Sequence, residues 1–331
     1  MREGAEAFLA AQGYAAARRE ALPADASFRR YLRLHGGPRP ALLMDAPPPQ
    51  EDVRPFLHVA AHLARIGLAA PGVIAADPAQ GFVLLEDFGP RTVAGLLDAG
   101  ADPVPLYRDA AAALAALHAA PPPDGLPAWD AARMAETAAS TFLGWWWPES
   151  FGAEPPPEAV AGFHAAMAAM LAPFAARGFV HRDYFPANLM PLPDRAPPCR
   201  VGILDFQDAA LGHPAYDLVS LVEDARRDVD GEVREAAIAH YLAGRPGLDA
   251  GEFRAAMAAM AAQRHLRVAA LWVRLARRDG KWHYLRHGPR CWALLDRALA
   301  HPAAAPLAAF LDAWVPRGLR ANPASLQEPA A

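Results

Sequence analysis

The sequence predicts an α+β chain of two lobes, a small β-rich one over residues 1–87 and a larger, mainly helical one over residues 88–331. Three observations lead there. Up to residue 87, segments of helical and strand period alternate; from residue 92, helices dominate; and the tract 178–213 interrupts the helical half with two short apolar runs flanked by turn residues.

In the small lobe, "MREGAEAFLAAQGYAAARRE" reads as a charged amphipathic helix. "FRRYLRL" and "RPALLMDA" follow as strands joined by "HGGP", a Gly-Pro turn suited to a hairpin. "PQEDVRPFLHVAAHLARIG" carries Phe56, Val59, Ala60 and Leu63 on one helical stripe with Gly67 as its stop. "GVIAADPAQGFVLLEDFG" returns to two strands around an Asp-Pro turn. Beyond residue 92, long alanine-rich helices such as "EAVAGFHAAMAAMLAPFAARG" and "GEFRAAMAAMAAQRHLRVAALWVRLARRDG" are separated by proline-rich breaks at 121–127 and 154–158. Their "AAMAAM" repeats keep apolar residues in register and are read as close helix packing.

Composition narrows the function. With 331 residues the chain can bury a sizeable core, and a net charge of -4 gives no basic footprint for nucleic acid. Cys199 and Cys291 are too few and too far apart for a disulfide framework or a zinc cluster. No signal-peptide run and no apolar stretch of the ~18 residues a membrane span requires is present, so a cytoplasmic protein without a membrane partner is expected. Oligomeric state is not legible. Lys281 is the only lysine among 32 basic residues, which constrains any phosphate-binding mechanism.

The chemistry concentrates in "HRDYFPANLM", residues 181–190, and in "VGILDF", which ends one strand later. Asp183 and Asn188 stand five apart, the spacing at which phosphotransfer loops place a base and a magnesium ligand. Asp183 is expected to take the proton of the hydroxyl being phosphorylated. Asn188 and Asp205 are expected to offer hard oxygens to Mg²⁺ bridging the phosphates of ATP. Each alone would pass for an Asx-turn or a cap; together, in a strand-loop context, they read as catalytic. "EDFG" at 86–89 precedes the loop and is not the metal motif; Glu86 and Asp87 are read instead as a hinge whose backbone meets adenine. Asp217 follows Asp205 by twelve residues, either stabilising a helix N-terminus or holding the loop backbone. That short spacing leaves no room for a peptide-docking segment, so the acceptor is small.

"HRDYFPAN" followed by "ILDFQDAALGHPAYDL" resembles the aminoglycoside phosphotransferase and choline kinase superfamily, over nearly the entire chain. "DASFRRYLRL", "LLMDAPPPQEDVRPF", "QGFVLLEDFG", "DFQDA", "QRHLRV" and "RDGKWHYL" are most similar to cell-wall-recycling kinases acting on the anomeric hydroxyl of N-acetylmuramate and N-acetylglucosamine. The resemblance implies a bilobal protein-kinase-like fold, ATP and Mg²⁺ as cofactors, an amino-sugar acceptor, and His181 as a support of the loop. It also implies that Ser27, in the nucleotide loop "LPADASFRR", contacts the nucleotide, and that Asp208 lies at the acceptor. The strand that usually carries a phosphate-binding lysine offers Met44 and Asp45. Arg30, on the strand face of Phe28, Leu32 and Leu34, is expected to replace it. Trp146, in "FLGWWWPE", is either packing or a sugar-stacking face. Arg264, His265 and Lys281 fall in late helices that the fold would place on the acceptor side, with Arg264 or Lys281 as partner for a lactyl carboxylate. Rival readings are an aminoglycoside, choline or amino-alcohol kinase, and a non-catalytic nucleotide-binding regulator.

Overall fold

A computed structural model describes residues 2–23 and 28–326. Its strands are β1 (Arg18–Ala21), β2 (Arg30–His35), β3 (Ala41–Asp45), β4 (Val73–Asp77), β5 (Phe82–Glu86), β6 (Ala128–Trp129), β7 (Gly178–Val180), β8 (Leu189–Pro191), β9 (Val201–Ile203) and β10 (Ala210–Gly212). The helices that matter below are α1 (Ala5–Ala11), α2 (Arg54–Arg65), α3 (Val93–Asp98), α4 (Pro103–Ala119), α5 (Ala131–Thr141), α6 (Trp147–Phe151), α7 (Pro157–Leu171), α8 (Ala215–Val222), α9 (Gly231–Ala243), α10 (Ala250–Asp279), α11 (Gly288–Leu299) and α12 (Ala305–Trp314). Among the described residues no helix is long and apolar enough to cross a membrane. The chain divides into two compact units, Met1–Pro123 with Pro186–Ala209, and Asp124–Phe185 with Ala210–Ala331.

The first unit is built on an antiparallel sheet of order β1-β2-β3-β5-β4. Because side chains alternate along a strand, each strand offers one set of residues to each face. Leu34, Ala41, Leu43, Phe82 and Leu84 pack with Ala5, Leu9 and Tyr14 of the N-terminal segment, and Leu32 joins them. Tyr31 and Met44 lie on the other face, where the Tyr31 hydroxyl donates to Met44 Sδ (3.3 Å). The N-terminal helix is shorter than expected: it ends at Ala11, Gly13 takes φ 81°, and Arg18–Ala21 becomes an edge strand against β2. The 54–65 helix buries Phe56, Val59, Ala60 and Leu63 as its periodicity requires.

The sheet ends at Glu86, where the small lobe was expected to end, yet the unit runs on through α3 and α4. It also takes in the β8–β9 hairpin. The physical reason is backbone pairing: Ile203 N–H donates to the Ala69 carbonyl (2.7 Å), and Ala69 bridges Gly202 in parallel.

In the second unit α10 packs on α5, α8 and α11. Asp249 caps it by accepting from Glu252 N–H (2.7 Å), and Gly280 at φ 66° ends it. Ala256, Met257, Ala259 and Met260 are all buried, so the alanine-methionine repeat is indeed a packing face. A small sheet of order β6-β10-β7 stands beside these helices.

Candidate active site

In the second unit, the loop carrying Asp183 leaves β7 immediately after Val180, which pairs with Ala210. Its backbone is fixed by Asp217, in the first turn of α8 and wholly buried. Asp217 Oδ2 accepts from His181 N–H (2.6 Å) and Oδ1 from Arg182 N–H (2.8 Å). Two charge-assisted bonds explain how an aspartate tolerates complete burial. They also hold Arg182 at φ 76°, a left-handed conformation costing a branched or long side chain of order 1 kcal/mol or more. The Arg182 guanidinium lies over the Trp129 ring at 4.3 Å. Of the two roles expected for Asp217, holding the loop is therefore the one its bonds describe.

His181, buried, accepts Asp183 N–H at Nδ1 (3.3 Å), and the Asp183 carbonyl accepts Phe185 N–H (3.1 Å). This turn leaves the Asp183 side chain partly exposed. Tyr184 is wholly buried, and burial together with the Asp217 charge pushes its phenol up, so it stays protonated. On α10, Arg267 Nη2 donates to the Tyr216 hydroxyl (3.1 Å). Burial works against its charge, but Tyr216 and the Asp183 carboxylate hold its pKa above the ordinary value. Arg267 was not singled out by sequence, although it sits inside "QRHLRV", three residues after Arg264 on one helix face.

The first unit holds Asn188 and Asp205 at the two ends of the hairpin. Leu204 N–H donates to the Asn188 carbonyl (2.9 Å), which registers the two residues. Asn188 Nδ2 is 3.4 Å from Asp205 Oδ2, and Gln207 Nε2 donates to Asp205 Oδ1 (2.9 Å). Asp205 takes φ 59°, the second non-glycine residue in the left-handed region, so its carboxylate is aimed by the backbone. Both residues line a cavity of about 510 Å³, within the range of small-molecule sites. Leu22, Leu42, Phe56, Leu85, Leu204 and Phe206 give it an apolar wall; Arg29, Gln207 and Asp208 add polar groups. With the amide turned so that its oxygen replaces Nδ2, Asn188 and Asp205 would together offer two hard oxygens to a divalent cation. No cluster of three His, Cys, Asp or Glu positioned for a metal occurs among the described residues.

Several expectations need correction. Arg30 is exposed, and its face of β2 is the one covered by the N-terminal segment. The cavity face carries Arg29 and Tyr31 instead. Arg29 lies 3.6 Å from Glu51 Oε2 and 3.9 Å from Asp205 Oδ1, and its buried Nε has no hydrogen-bond partner. Trp146 is wholly buried, stacks on Phe142 (4.9 Å) and donates from Nε1 to the Ala321 carbonyl (2.8 Å), so it is core and not a sugar platform. His265 is wholly buried and bound through Nε2 to Glu223 Oε2 (2.8 Å). Burial tends to raise the Glu223 carboxyl, but His265, Arg297 and Arg234 bring it down to about 2. Arg264 is only 2% exposed, and its buried Nε and Nη1 have no hydrogen-bond partner.

Other expected residues fall as follows. Lys281 is partly buried just after α10, its N–H donating to the Leu275 carbonyl (3.0 Å). Asp208, expected at the acceptor, lines the same cavity as Asp205. The Asp87 carboxylate is bound by Arg33 (2.6 and 3.2 Å) and Gly89 N–H (2.8 Å). Glu86 pairs with Arg195 (2.6 Å), and its N–H donates to the Gly72 carbonyl (2.8 Å). The side chains of this segment thus brace the chain, and a base can meet only backbone groups other than that N–H. Ser27 lies outside the described residues.

An N-acetylmuramate/N-acetylglucosamine kinase from Caulobacter vibrioides is 40% identical, the match covering 95% of this chain and 97% of that protein. The kinase of the same name from Pseudomonas aeruginosa is 39% identical over 91% of this chain and 90% of its own length. In fold, a choline/ethanolamine kinase family protein from Mesorhizobium loti matches with a TM-score of 0.63 at 16% identity, over 93% of this chain and 97% of that one. This is the bilobal kinase-like fold that the resemblance implied. Residues 18–253, which include Asp183, Asn188, Asp205 and Asp217, match the phosphotransferase enzyme family, and with relatives this similar over nearly its full length the chain belongs to that family.

Proposed function

We propose that this kinase transfers the γ-phosphoryl group of Mg²⁺-ATP to the anomeric hydroxyl of N-acetylmuramate and N-acetylglucosamine, a cytoplasmic step in cell-wall recycling. The observation that carries it is the Asp183 loop, held in a strained backbone by Asp217 so that one partly exposed carboxylate is presented at a fixed place. An anomeric hydroxyl is more acidic than an ordinary sugar alcohol, so a carboxylate can take its proton late in a largely dissociative transfer. The names of the relatives supply the sugar class.

Asn188 and Asp205 would hold the metal, which would supply positive charge to the phosphoryl group being transferred. The apolar wall of the 510 Å³ cavity suits a purine, and Arg29 stands where no lysine is available. Arg29→Ala should raise the KM for ATP about tenfold, the loss of a charge-assisted pair, while Arg30→Ala changes it less than about twofold. The reverse outcome in steady-state kinetics would mean the wrong strand face has been chosen.

Cationic acceptors such as choline or aminoglycosides fit less well, because α10 and the segment after α8 carry Arg264, Arg267, Arg226 and Arg227. A non-catalytic regulator has no need of a base in a strained loop. Phosphorus NMR is the decisive measurement: both free sugars should yield 1-phosphates, and their 1-O-methyl glycosides should be inert. A 3- or 6-phosphate, a phosphorylated methyl glycoside, or ATP binding without turnover would each refute the assignment.

A further inference from the structure

The arginines of the second unit are mostly committed to partners. Arg290 forms a two-pronged pair with Asp228 (2.5 and 2.8 Å), Arg234 and Arg297 converge on Glu223 (2.8 and 3.0 Å), and Arg277 reaches Glu149 (2.7 Å). Arg267 is held by Tyr216. Arg226 differs. It is exposed, and the carboxylate that feels its charge is the buried Asp224. What holds it is aromatic: the guanidinium carbon lies 4.7 Å from the Phe185 ring centroid and 5.2 Å from that of Trp272.

This placement is tied to the reacting end of the molecule. Phe185 is two residues after Asp183, so their Cα atoms are at most roughly 7 Å apart, and their backbones are hydrogen-bonded to each other. Trp272 is itself fixed, stacked flat on Tyr284 at 4.9 Å and donating from Nε1 to Cys291 Sγ (3.2 Å). A planar cation seated on two rings keeps its N–H edges outward, which suits two-point recognition of a carboxylate.

The surroundings favour an anion as well. Asp224, the nearest carboxylate in sequence, is buried, and its Oδ1 accepts the Arg226 backbone N–H (2.9 Å). His287 lies beside the same Trp272 ring at 5.8 Å. Its pKa is pushed down to about 4, chiefly by burial, with the charges of Arg286, Arg290, Arg226 and His283 adding to it. Arg226, Arg286 and Arg290 act on His287, and Arg226 and Arg264 on Asp224, with Arg290 itself paired to Asp228.

Building on the sugar-kinase reading, we propose that Arg226 is the specificity residue that receives the lactyl carboxylate of N-acetylmuramate while the anomeric hydroxyl lies at Asp183. N-acetylglucosamine has no such group and makes no ion pair with it. The site therefore accepts both sugars but distinguishes them through one guanidinium, in place of Arg264 or Lys281.

The test is the ratio of kcat/KM for N-acetylmuramate to that for N-acetylglucosamine, measured with wild type, Arg226→Gln and Arg226→Lys. The ratio should fall about 10- to 100-fold in Arg226→Gln, through the KM for N-acetylmuramate, the usual loss for a charged hydrogen-bonded pair. Arg226→Lys keeps the charge without the planar fork and should fall between. Thermal unfolding of each variant separates this from damage to the Trp272 packing, which would lower both sugars alike. A ratio that does not move, or an equal loss for both sugars, overturns the role of Arg226 and leaves the kinase assignment standing. A wild-type enzyme that phosphorylates neither sugar overturns both.

Discussion

Asp183→Asn is expected to fold normally and bind nucleotide with unchanged affinity while turnover falls about 10²- to 10⁴-fold, the usual contribution of a positioned general base. The substitution keeps the side chain's shape. It also keeps the backbone bonds from Asp183 N–H to His181 Nδ1 and from Phe185 N–H to the Asp183 carbonyl, so the loop geometry has no reason to change. What disappears is the proton acceptor. Steady-state kinetics with both sugars would measure it, alongside nucleotide binding by calorimetry. Near-normal kcat would remove Asp183 from the base role.

The second large effect is expected at Asp217. Alanine there strips the acceptors from one buried and one partly buried backbone N–H, each worth about 1–3 kcal/mol when left unsatisfied. The melting temperature should drop by roughly 5–20 °C for units of this size, and turnover should collapse because the strained Arg182 conformation loses its anchor. Asp217→Asn is the informative companion. It retains one acceptor but turns an NH₂ group toward a backbone donor, so it should be intermediate in stability and still poor in turnover. If both variants melted and turned over like wild type, Asp217 would be no more than a favourable charge at the α8 N-terminus.

The helix 54–65 was legible because its apolar stripe repeats at the helical period, and the whole stripe is buried. The β8–β9 hairpin was legible because short apolar runs between turn residues leave little else for the chain to do. The N-terminal twenty residues were not. Their charges and alanines suit a helix throughout, but Gly13 interrupts it, and the backbone of β2 offers Arg18–Ala21 a ladder that no local pattern announces.

Arg30 illustrates the same limit on one strand. Alternation correctly separated Arg29, Tyr31 and Arg33 from Arg30, Leu32 and Leu34, but period two says only that there are two faces. Which of them looks into the cavity was settled by where Ala5, Leu9 and Tyr14 pack. Trp146 repeats the lesson for a large side chain: its ring suits a core or a sugar equally, and Phe142, Phe151 and Trp292 enclose it.

Sequence by itself therefore determined the fold class, the loop that carries Asp183, and the pairing of Asn188 with Asp205, since these depend on spacing along the chain and on strand and turn chemistry within ten or so residues. Tertiary structure alone decided that Asp217 anchors the loop from 35 residues away, that Arg29 and not Arg30 meets the cavity, and that Arg264 and His265 are interior while Arg226 stands exposed on Phe185 and Trp272. The reason is physical. A guanidinium costs several kcal/mol to bury unpaired and little to leave in water, so its role is set by the neighbours that surround it, and those come from parts of the chain that no local pattern connects.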